Sequence, residues 1–293
     1  MTKILDGKKV ALRIKNKLTE EIAGFSKSPK LAIFQVGDNP ESTLYIKKKK
    51  EFAEQIGAQV EHFRFADSID QESLARELKK VNIDRNFHGI ILQLPLPSHL
   101  GSSSFFDEID CQKDVDGLSS VNLKKLWNKE AGGFIPATAK GVLNILDFFE
   151  ISLSGKRVVI IGRSDLVGKP IALAFLNRDA TITVSHRKTE NLSEISRQAE
   201  ILVVAIGQPN FVDEKFVSPG QIVIDVGINS LPTGKLEEEI SGRKIVGDVD
   251  FEAVKDIVEA ITPVPGGVGP LTVSALFENL ISAYRLQEKD LIR

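Results

Sequence analysis

The chain is short of cysteine, histidine and long apolar runs, and each shortage excludes a class of protein. Cys111 is the single cysteine among 293 residues, which rules out an intrachain disulfide and a cysteine-rich metal site and favours a reducing compartment. The four histidines contain no H-x-x-x-H pair, so the sequence carries no zinc signature. No metal is therefore expected.

Neither charge nor hydropathy indicates a nucleic-acid or membrane partner. The net charge is −2, whereas binding to a phosphate backbone relies on concentrated positive charge. Apolar runs such as residues 201–206 have the length of strands, far below the roughly 18 residues of a membrane span, and residues 1–10 lack the apolar core of a signal peptide. The length and the 42% hydrophobic content predict a soluble protein of roughly two domains, and the lone Cys111 favours the cytoplasm.

Predicted strands and predicted helices alternate along the chain, which is typical of an α/β fold with parallel sheets covered by helices. The chain divides near residue 139. The predicted strands are residues 31–36, 60–65, 88–94, 157–161, 181–188, 201–206, 222–226 and 244–246, the last four continuing a dinucleotide-type sheet. The predicted helices are residues 40–56, 71–81, 139–149 and 272–286. The last helix follows a glycine-proline loop and is predicted to pack back on the first domain.

A strand-to-helix turn within residues 157–170 is the most informative segment. An apolar run rich in β-branched residues stops at Gly162, and Pro170 suits the first turn of a following helix. Backbone N–H groups and the positive end of the helix dipole would face a dinucleotide pyrophosphate there. The usual G-x-G-x-x-G is not met, since Gly168 comes one residue late. An ordinary strand-to-helix turn is therefore an open alternative.

The second strand of this part ends in basic residues. In a dinucleotide fold the tip of that strand meets the adenosine ribose, where an acidic residue binds the 2′-hydroxyl of NAD and an arginine accommodates the 2′-phosphate of NADP. Arg187 and Lys188 stand at this tip, and Arg163 is available from the first loop, so NADP is favoured over NAD. The alternative is that the basic cluster is a solvated loop.

Residues 47–50 are all lysines, and one of them is singled out by its spacing. Only Lys49 stands four residues from Tyr45 and so shares its helical face, which Phe52 extends. An ammonium beside an aromatic ring in a cleft can be desolvated, which lowers its pKa and lets it exchange protons near neutrality. The alternative is a solvent-facing run on an amphipathic helix.

Three further segments place polar or rigid groups where a ligand could meet them. Gln93 comes at the carboxyl end of a predicted strand, where parallel sheets bind ligands, although a glutamine there also caps turns. Asp116 lies in an Asp-Val-Asp-Gly segment that equally fits a common turn. Three prolines and three glycines within residues 262–270 fix some torsions and free others, so bare backbone can approach a flat or charged group.

Taken together, these motifs resemble the bifunctional methylenetetrahydrofolate dehydrogenase/cyclohydrolase family over essentially the whole chain. Each motif alone is not specific to this family, but their order and spacing together are. They are YIKKK at residues 45–49, LQLPLP at 92–97, KDVDG at 113–117, GRSDLVGKP at 162–170, GQPN at 207–210, DVGIN at 225–229 and TPVPGGVGPLT at 262–272.

The resemblance implies a two-domain α/β fold and two activities. A folate-binding catalytic domain over residues 1–139, completed by residues from about 271 to 293, would accompany a Rossmann-like doubly wound NADP-binding domain over residues 140–270. The activities would be NADP-dependent oxidation of 5,10-methylenetetrahydrofolate and hydrolysis of the methenyl product to 10-formyltetrahydrofolate. This one-carbon metabolism would feed purine, methionine and histidine biosynthesis. A homodimer joined through the cofactor domains is also implied.

The resemblance also implies roles for individual residues. Lys49 would be the catalytic lysine, Gln93 its tuning partner, and Asp116 the carboxylate that holds the pterin. Tyr45 would pack on the folate rings. The remaining substrate residues would be Leu94, Pro265 and Gly266, and the residues that hold NADP would be Gly162, Arg163, Ser164, Arg187, Ile228 and Thr272.

One segment departs from the family pattern, and two other functions fit part of the sequence. The family usually shows P-C-T-P-x-G before the crossing helix, whereas Ala137 and Ala139 stand at the cysteine and second-proline positions here. A shikimate-type dehydrogenase also uses a lysine and an NADP domain, but it does not explain the LQLPLP and PVPGG pair. A silent NADP-sensing protein would be favoured by loss of Lys49 or Asp116, and both are present.

Overall fold

The computed structural model describes residues 2–101, 104–232 and 243–290. Its strands are β1 (Lys3–Ile4), β2 (Lys30–Val36), β3 (Gln59–Phe65), β4 (Gly89–Leu92), β5 (Arg157–Ile161), β6 (Thr181–Ser185), β7 (Ile201–Val204), β8 (Ile222–Asp225), β9 (Asn229–Pro232), β10 (Arg243–Val246) and β11 (Ala260–Ile261). Its α-helices are α1 (Gly7–Ala23), α2 (Pro40–Ile56), α3 (Gln71–Ile83), α4 (Ser120–Trp127), α5 (Ala137–Phe148), α6 (Gly168–Leu176), α7 (Leu192–Arg197), α8 (Phe251–Val254) and α9 (Val268–Asp290).

The chain forms two compact units. The large-sheet unit comprises residues 1–11 and 138–272, and the small-sheet unit comprises residues 12–137 and 273–293. Among the described residues, no helix combines the length and the apolar composition needed to cross a bilayer.

The small-sheet unit is built on a parallel three-stranded sheet in the order β3-β2-β4. Its central strand β2 is buried from residue 31 to residue 36 and is a near-continuous apolar run, which is typical of a parallel strand covered on both faces. Helix α9 packs into this unit, where Phe277 lies 5.2 Å from Phe52 of α2 and Tyr284 stacks on Phe25 at 4.5 Å, measured between ring centroids. The prediction that the last helix packs back on the first domain is confirmed.

The large-sheet unit contains six parallel strands in the order β1-β11-β8-β7-β5-β6. Strand β5 has β6 on one side and β7 on the other, so the direction of winding reverses beside β5. Ligands of doubly wound sheets bind at such a switch point, outside the carboxyl ends of the strands. The predicted α/β class with a Rossmann-like sheet is confirmed.

Several predicted strands end earlier in the structure than the sequence suggested. Strand β4 stops at Leu92 rather than residue 94, because the chain turns ahead of Pro95, which cannot donate to a ladder. Strand β7 stops at Val204 and β8 at Asp225, one or two residues short of the predicted ends. Strand β6 stops at Ser185, so the basic residues 186–188 form a loop after the strand.

The prediction that residues 244–246 continue the parallel sheet is wrong. Strand β10 pairs antiparallel with β9 in a separate two-stranded sheet. The position beside β8 in the parallel sheet is occupied by β11, and Arg243 and Lys244 do not suit a strand buried on both faces. The last helix also begins at Val268, ahead of the predicted residue 272, because Pro270 is tolerated in its first turn.

Candidate functional site

Helix α2 presents Lys49 and Tyr45 one turn apart. Asn39 caps the start of the helix by accepting a hydrogen bond from Ser42 N at 2.9 Å, Pro40 follows as the first residue, and Gly57 ends it in a left-handed conformation. These caps fix which positions face the sheet. The Lys49 side chain is half-buried, whereas Lys47 and Lys48 are exposed.

A hydrogen-bonded chain fixes the Lys49 ammonium. Its Nζ donates to Gln93 Oε1 at 2.7 Å, and Gln93 Nε2 donates to the carbonyl of Leu94 at 2.9 Å. The Ser42 hydroxyl donates to the same carbonyl at 3.0 Å. The amide of Gln93 is thereby held with its oxygen toward the lysine. The expected pairing of Lys49 with Gln93 is present in this geometry.

Asp116 is placed by a short extension of the small sheet. Ile90 of β4 donates its N–H to the carbonyl of Lys113 at 2.7 Å and forms a parallel bridge with Asp114. The segment therefore runs alongside β4 and brings Asp116 toward the carboxyl end of that strand, near the charge of Lys49.

The two charged groups shift each other's protonation. Burial lowers the pKa of Lys49 to about 8, and the carboxylate of Asp116 opposes that shift. Burial raises the pKa of Asp116 to about 6, with the positive charge of Lys49 opposing and the negative charge of Asp114 adding to the rise. Both groups can consequently take up or release protons within about one unit of neutrality.

The loop around Asp116 is anchored from both sides. Asp114 accepts hydrogen bonds from Gly117 N at 3.0 Å, Ser119 N at 2.8 Å and Asn122 Nδ2 at 2.8 Å. Asn279 of α9 donates through Nδ2 to the carbonyls of residues 115 and 135, both at 2.9 Å. No pattern in the sequence singled out Asp114, Asn122 or Asn279 as site residues. The two asparagines lie inside helices, where a lone amide gives no local signal.

Tyr45 stands beside the lysine run with a half-buried ring. Its pKa is raised by burial and by the nearby negative charge of Glu41, so the phenol stays neutral. The Nζ of Lys48 lies 5.9 Å from the centre of the Tyr45 ring, and Lys48 itself is exposed. Tyr45 is therefore a neutral aromatic surface one helical turn before Lys49.

In the large-sheet unit, the turn after β5 admits only glycine at two positions. Gly162 has φ +133°, and a Cβ there would lie 2.1 Å from the carbonyl oxygen of Ala205. A Cβ on Gly168 would lie 2.2 Å from the carbonyl oxygen of Gly162. Ser164 Oγ accepts from the N–H groups of Val167 at 3.2 Å and Gly168 at 3.4 Å, which caps the start of α6. The turn is thus tightly folded back onto the neighbouring strand.

Basic side chains flank this turn on two adjacent strand tips. Ile161 of β5 pairs with Ser185 of β6, and Gly162 N donates to the carbonyl of Ser185 at 2.9 Å. Arg163 and Arg187 each come two residues after the end of their strand, and both are exposed. Within the turn, the carboxylate of Asp165 pairs with Lys169, which offsets its negative charge. The tips therefore present positive charge suited to a phosphate group.

The other predicted ligand residues lie in the large-sheet unit as well. Ile228 follows β8 and is 46% exposed, and Thr272 lies half-buried on α9. Pro265 is exposed, whereas Gly266 is buried and its carbonyl accepts from Gly7 N at 2.9 Å. Tyr45, Lys49, Gln93, Leu94 and Asp116 belong to the small-sheet unit. Within the described ranges, no group of three or more His, Cys, Asp or Glu side chains is placed to hold a metal ion.

Comparison with known proteins places this arrangement in one family. The catalytic-domain model of tetrahydrofolate dehydrogenase/cyclohydrolase matches residues 5–116, and the NAD(P)-binding-domain model of the same family matches residues 136–288. The bifunctional protein FolD of Acholeplasma laidlawii is 45% identical over 288 residues, which cover 98% of this chain and 100% of the relative.

Solved structures agree with the sequence matches. The bifunctional enzyme FolD, methylenetetrahydrofolate dehydrogenase/cyclohydrolase, from Campylobacter jejuni has a TM-score of 0.91 at 40% identity and covers 97% of this chain and 99% of its own. FolD of Trypanosoma brucei, solved with NADP cofactor and an inhibitor, has a TM-score of 0.91 at 34% identity and covers 97% of each chain. The chain belongs to the tetrahydrofolate dehydrogenase/cyclohydrolase family.

Proposed function

We propose that this protein oxidises 5,10-methylenetetrahydrofolate to 5,10-methenyltetrahydrofolate with NADP and hydrolyses the methenyl compound to 10-formyltetrahydrofolate, as a step of one-carbon metabolism. Family membership supports both activities. The observation that carries the hydrolytic half is the 2.7 Å hydrogen bond from Lys49 to Gln93, next to the carboxyl of Asp116. This is a proton-transfer site whose lysine has a pKa of about 8.

The residues at the tips of β5 and β6 fit NADP. The tight turn at Gly162 leaves Arg163 and Ser164 exposed at the start of α6, where a helix N-terminus favours a pyrophosphate. Arg187 and Arg163 supply the positive charge that a 2′-phosphate requires. NADP, when bound, accepts a hydride from the methylene carbon of the folate. We assign Ile228 and Thr272 to the same cofactor site.

For the oxidation, the protein's task is to hold the two reactants. The methenyl cation that results is stabilised by the two nitrogens beside the carbon, so no side chain has to supply charge there. We assign Tyr45 to pack on the face of the folate rings. We assign Asp116 to accept hydrogen bonds from the N–H groups of the pterin. Leu94, Pro265 and Gly266 are proposed as further folate contacts.

For the hydrolysis, two proton transfers have to be managed. The oxygen of a water adds to the methenyl carbon while neutral Lys49 takes one of the water's protons. The bond from that carbon to the pterin nitrogen N5 then breaks, while the bond to N10 remains. The Lys49 ammonium returns a proton to N5. The second proton of the water leaves to solvent, which balances the loss of the cation's charge. Gln93 holds the amine in place through both transfers.

The two domains, the oligomeric state and the location are assigned as follows. The folate-binding domain is proposed for the small-sheet unit and the NADP domain for the large-sheet unit, with a homodimer joined through the latter and a cytoplasmic location. Family membership favours the folate reaction over a shikimate-type dehydrogenase. Gel filtration at micromolar concentration tests the dimer, since elution as a monomer alone would contradict it.

A direct assay tests the proposed function. The protein is mixed with 5,10-methylenetetrahydrofolate and NADP, and NADPH absorbance is followed. The methenyl compound is then supplied alone, and its own absorbance is followed against a protein-free blank. We expect NADPH to form in the first reaction and the methenyl absorbance to fall faster than the blank in the second. Absence of either rate refutes the corresponding activity.

A further inference from the structure

Asp248 of the large-sheet unit binds three successive backbone N–H groups. It is fully buried and follows β10 after a single glycine. Its Oδ2 accepts from Ile206 N at 2.7 Å and Gly207 N at 3.0 Å, and its Oδ1 accepts from Gln208 N at 2.9 Å. These three residues begin the loop that leaves the carboxyl end of β7, so one carboxylate fixes the course of that loop.

The same carboxylate also holds the segment after β8. Its Oδ1 accepts from Asn229 Nδ2 at 2.8 Å, and Asn229 directly follows Ile228. On the other side of Ile228, a Cβ added to Gly227 would lie 2.3 Å from Asp248 Cγ. Asp248 is therefore in close contact with both residues that flank Ile228, whose own side chain is 46% exposed.

Asp225 in turn fixes the backbone of Asp248. Asp225 is the last residue of β8 and is buried, with Oδ1 accepting from Gly227 N at 2.9 Å and Asp248 N at 3.0 Å. Its Oδ2 accepts from Val249 N at 2.9 Å. The two carboxylates connect the loops after β7 and β8 with the segment after β10.

The position of these loops indicates which part of a dinucleotide they meet. The tight turn of a doubly wound sheet binds the pyrophosphate, and the tip of the second strand meets the adenosine ribose. Here those places are the end of β5 and the end of β6. Strands β7 and β8 lie on the opposite side of β5 from β6, so their loops lie where the nicotinamide half extends.

We propose that Asp248 is a positioning residue for NADP, because its carboxylate prearranges the loop of residues 206–208 and the Ile228 segment as a surface for the nicotinamide half. This rests on the proposed function, since it requires that the protein bind NADP. Without the carboxylate, four donors lose their acceptor, and the loops must be ordered when the cofactor binds. Binding then bears the cost of that ordering.

The test compares Asp248→Asn with a matched control, Asp250→Asn. The asparagine at 248 keeps one oxygen but turns an NH₂ group toward two of the four donors. Asp250 caps α8 by accepting from Ala253 N at 3.2 Å, and asparagine is an equally good cap there. Calorimetry with NADP alone, without folate, measures binding independently of turnover. Adenosine 2′,5′-bisphosphate, which carries the adenosine half only, is titrated in parallel.

We expect Asp248→Asn to bind NADP about tenfold or more weakly and adenosine 2′,5′-bisphosphate within about twofold of the native protein. Asp250→Asn should bind both ligands normally. A milder variant, Asn229→Ala, removes one of the four donors and should weaken NADP binding severalfold with the half-cofactor unaffected. If Asp248→Asn does not fold, the NADP affinity of Asn229→Ala tests the proposal instead.

Two results would overturn the proposal. One is NADP affinity in the folded variants within about twofold of the native value. The other is an equal loss of affinity for NADP and for the half-cofactor, which shows a general structural defect. Failure of the native protein to bind NADP at all would instead refute the proposed function.

Discussion

Replacing Lys49 by methionine should abolish methenyl hydrolysis while leaving a folded protein. At pH 7.5, a lysine with a pKa of about 8 is neutral in about a quarter of the molecules, whereas one with a pKa of 10.5 is neutral in about one in a thousand. The site therefore supplies roughly 200 times more neutral amine than a surface lysine would. Methionine removes the amine altogether, and a loss of about 10²- to 10⁴-fold in the hydrolysis rate is expected.

The variant should remain folded because two effects on stability oppose each other. Between about pH 8 and pH 10.5, Lys49 is protonated more often in the unfolded chain than in the folded protein, because folding lowers its pKa. The charged lysine therefore costs stability below pH 8, and this cost is relieved as pH rises toward 10.5. Removing it gains at most about 3 kcal/mol, whereas leaving Gln93 Oε1 without its donor costs about 1 to 3 kcal/mol. Methionine also suits a helix.

The assay follows methenyl absorbance for the native protein, Lys49→Met and two neighbouring controls. Lys47 is exposed and pairs only loosely with Glu51 at 3.8 Å, so Lys47→Ala should leave the rate unchanged. Lys48→Ala removes a contact with the Tyr45 ring worth about 0.5 to 1 kcal/mol and should lower the rate only a few fold. Near-normal hydrolysis by Lys49→Met, or equal damage from Lys48→Ala, would refute the one-lysine mechanism.

Two further predictions concern the large-sheet unit. Arg187→Ala should lower the ratio of NADP to NAD affinity about tenfold, since the removed charge faces the proposed 2′-phosphate site, and an unchanged ratio in calorimetry would refute that assignment. Gly162→Ala should lose NADP binding and about 1 to 3 kcal/mol of stability, because its Cβ would lie 2.1 Å from a carbonyl oxygen at φ +133°. Gly24→Ala, where a Cβ meets nothing closer than 3.6 Å, should be harmless in thermal melts, and equal loss in both variants would contradict the steric argument.

Local sequence signals predicted the elements that carry strong boundary residues. Helix α2 runs over Pro40–Ile56 as expected, because Asn39, Pro40 and Gly57 mark its ends. Strand β5 also has its predicted bounds, since an uninterrupted β-branched run meets a glycine. The spacing from Tyr45 pointed to Lys49, but it did not anticipate that Lys48, three residues from Tyr45, lies over the Tyr45 ring.

Features that depend on distant residues could not be predicted in this way. Strands β1 and β11 have two residues each, too few to show a period, and they are strands because β11 pairs with β8 and β1 pairs with β11. Strand β10 resembles a parallel strand until its partner β9 is known. Asp248 gives no local signal either, since its hydrogen-bond donors at residues 206–208 lie about forty positions away in sequence.

The titration of the Lys49 amine tests the account most directly. Side-chain NMR of isotopically labelled lysine follows each amine as pH is raised, and the Lys49 signal is the one missing from Lys49→Met. We predict a midpoint at about 8, well below the ordinary lysine value of 10.5. In Asp116→Asn the midpoint should fall further, because the carboxylate opposes the effect of burial. A Lys49 midpoint at the ordinary value of 10.5 would contradict the proposed role of this lysine in proton transfer.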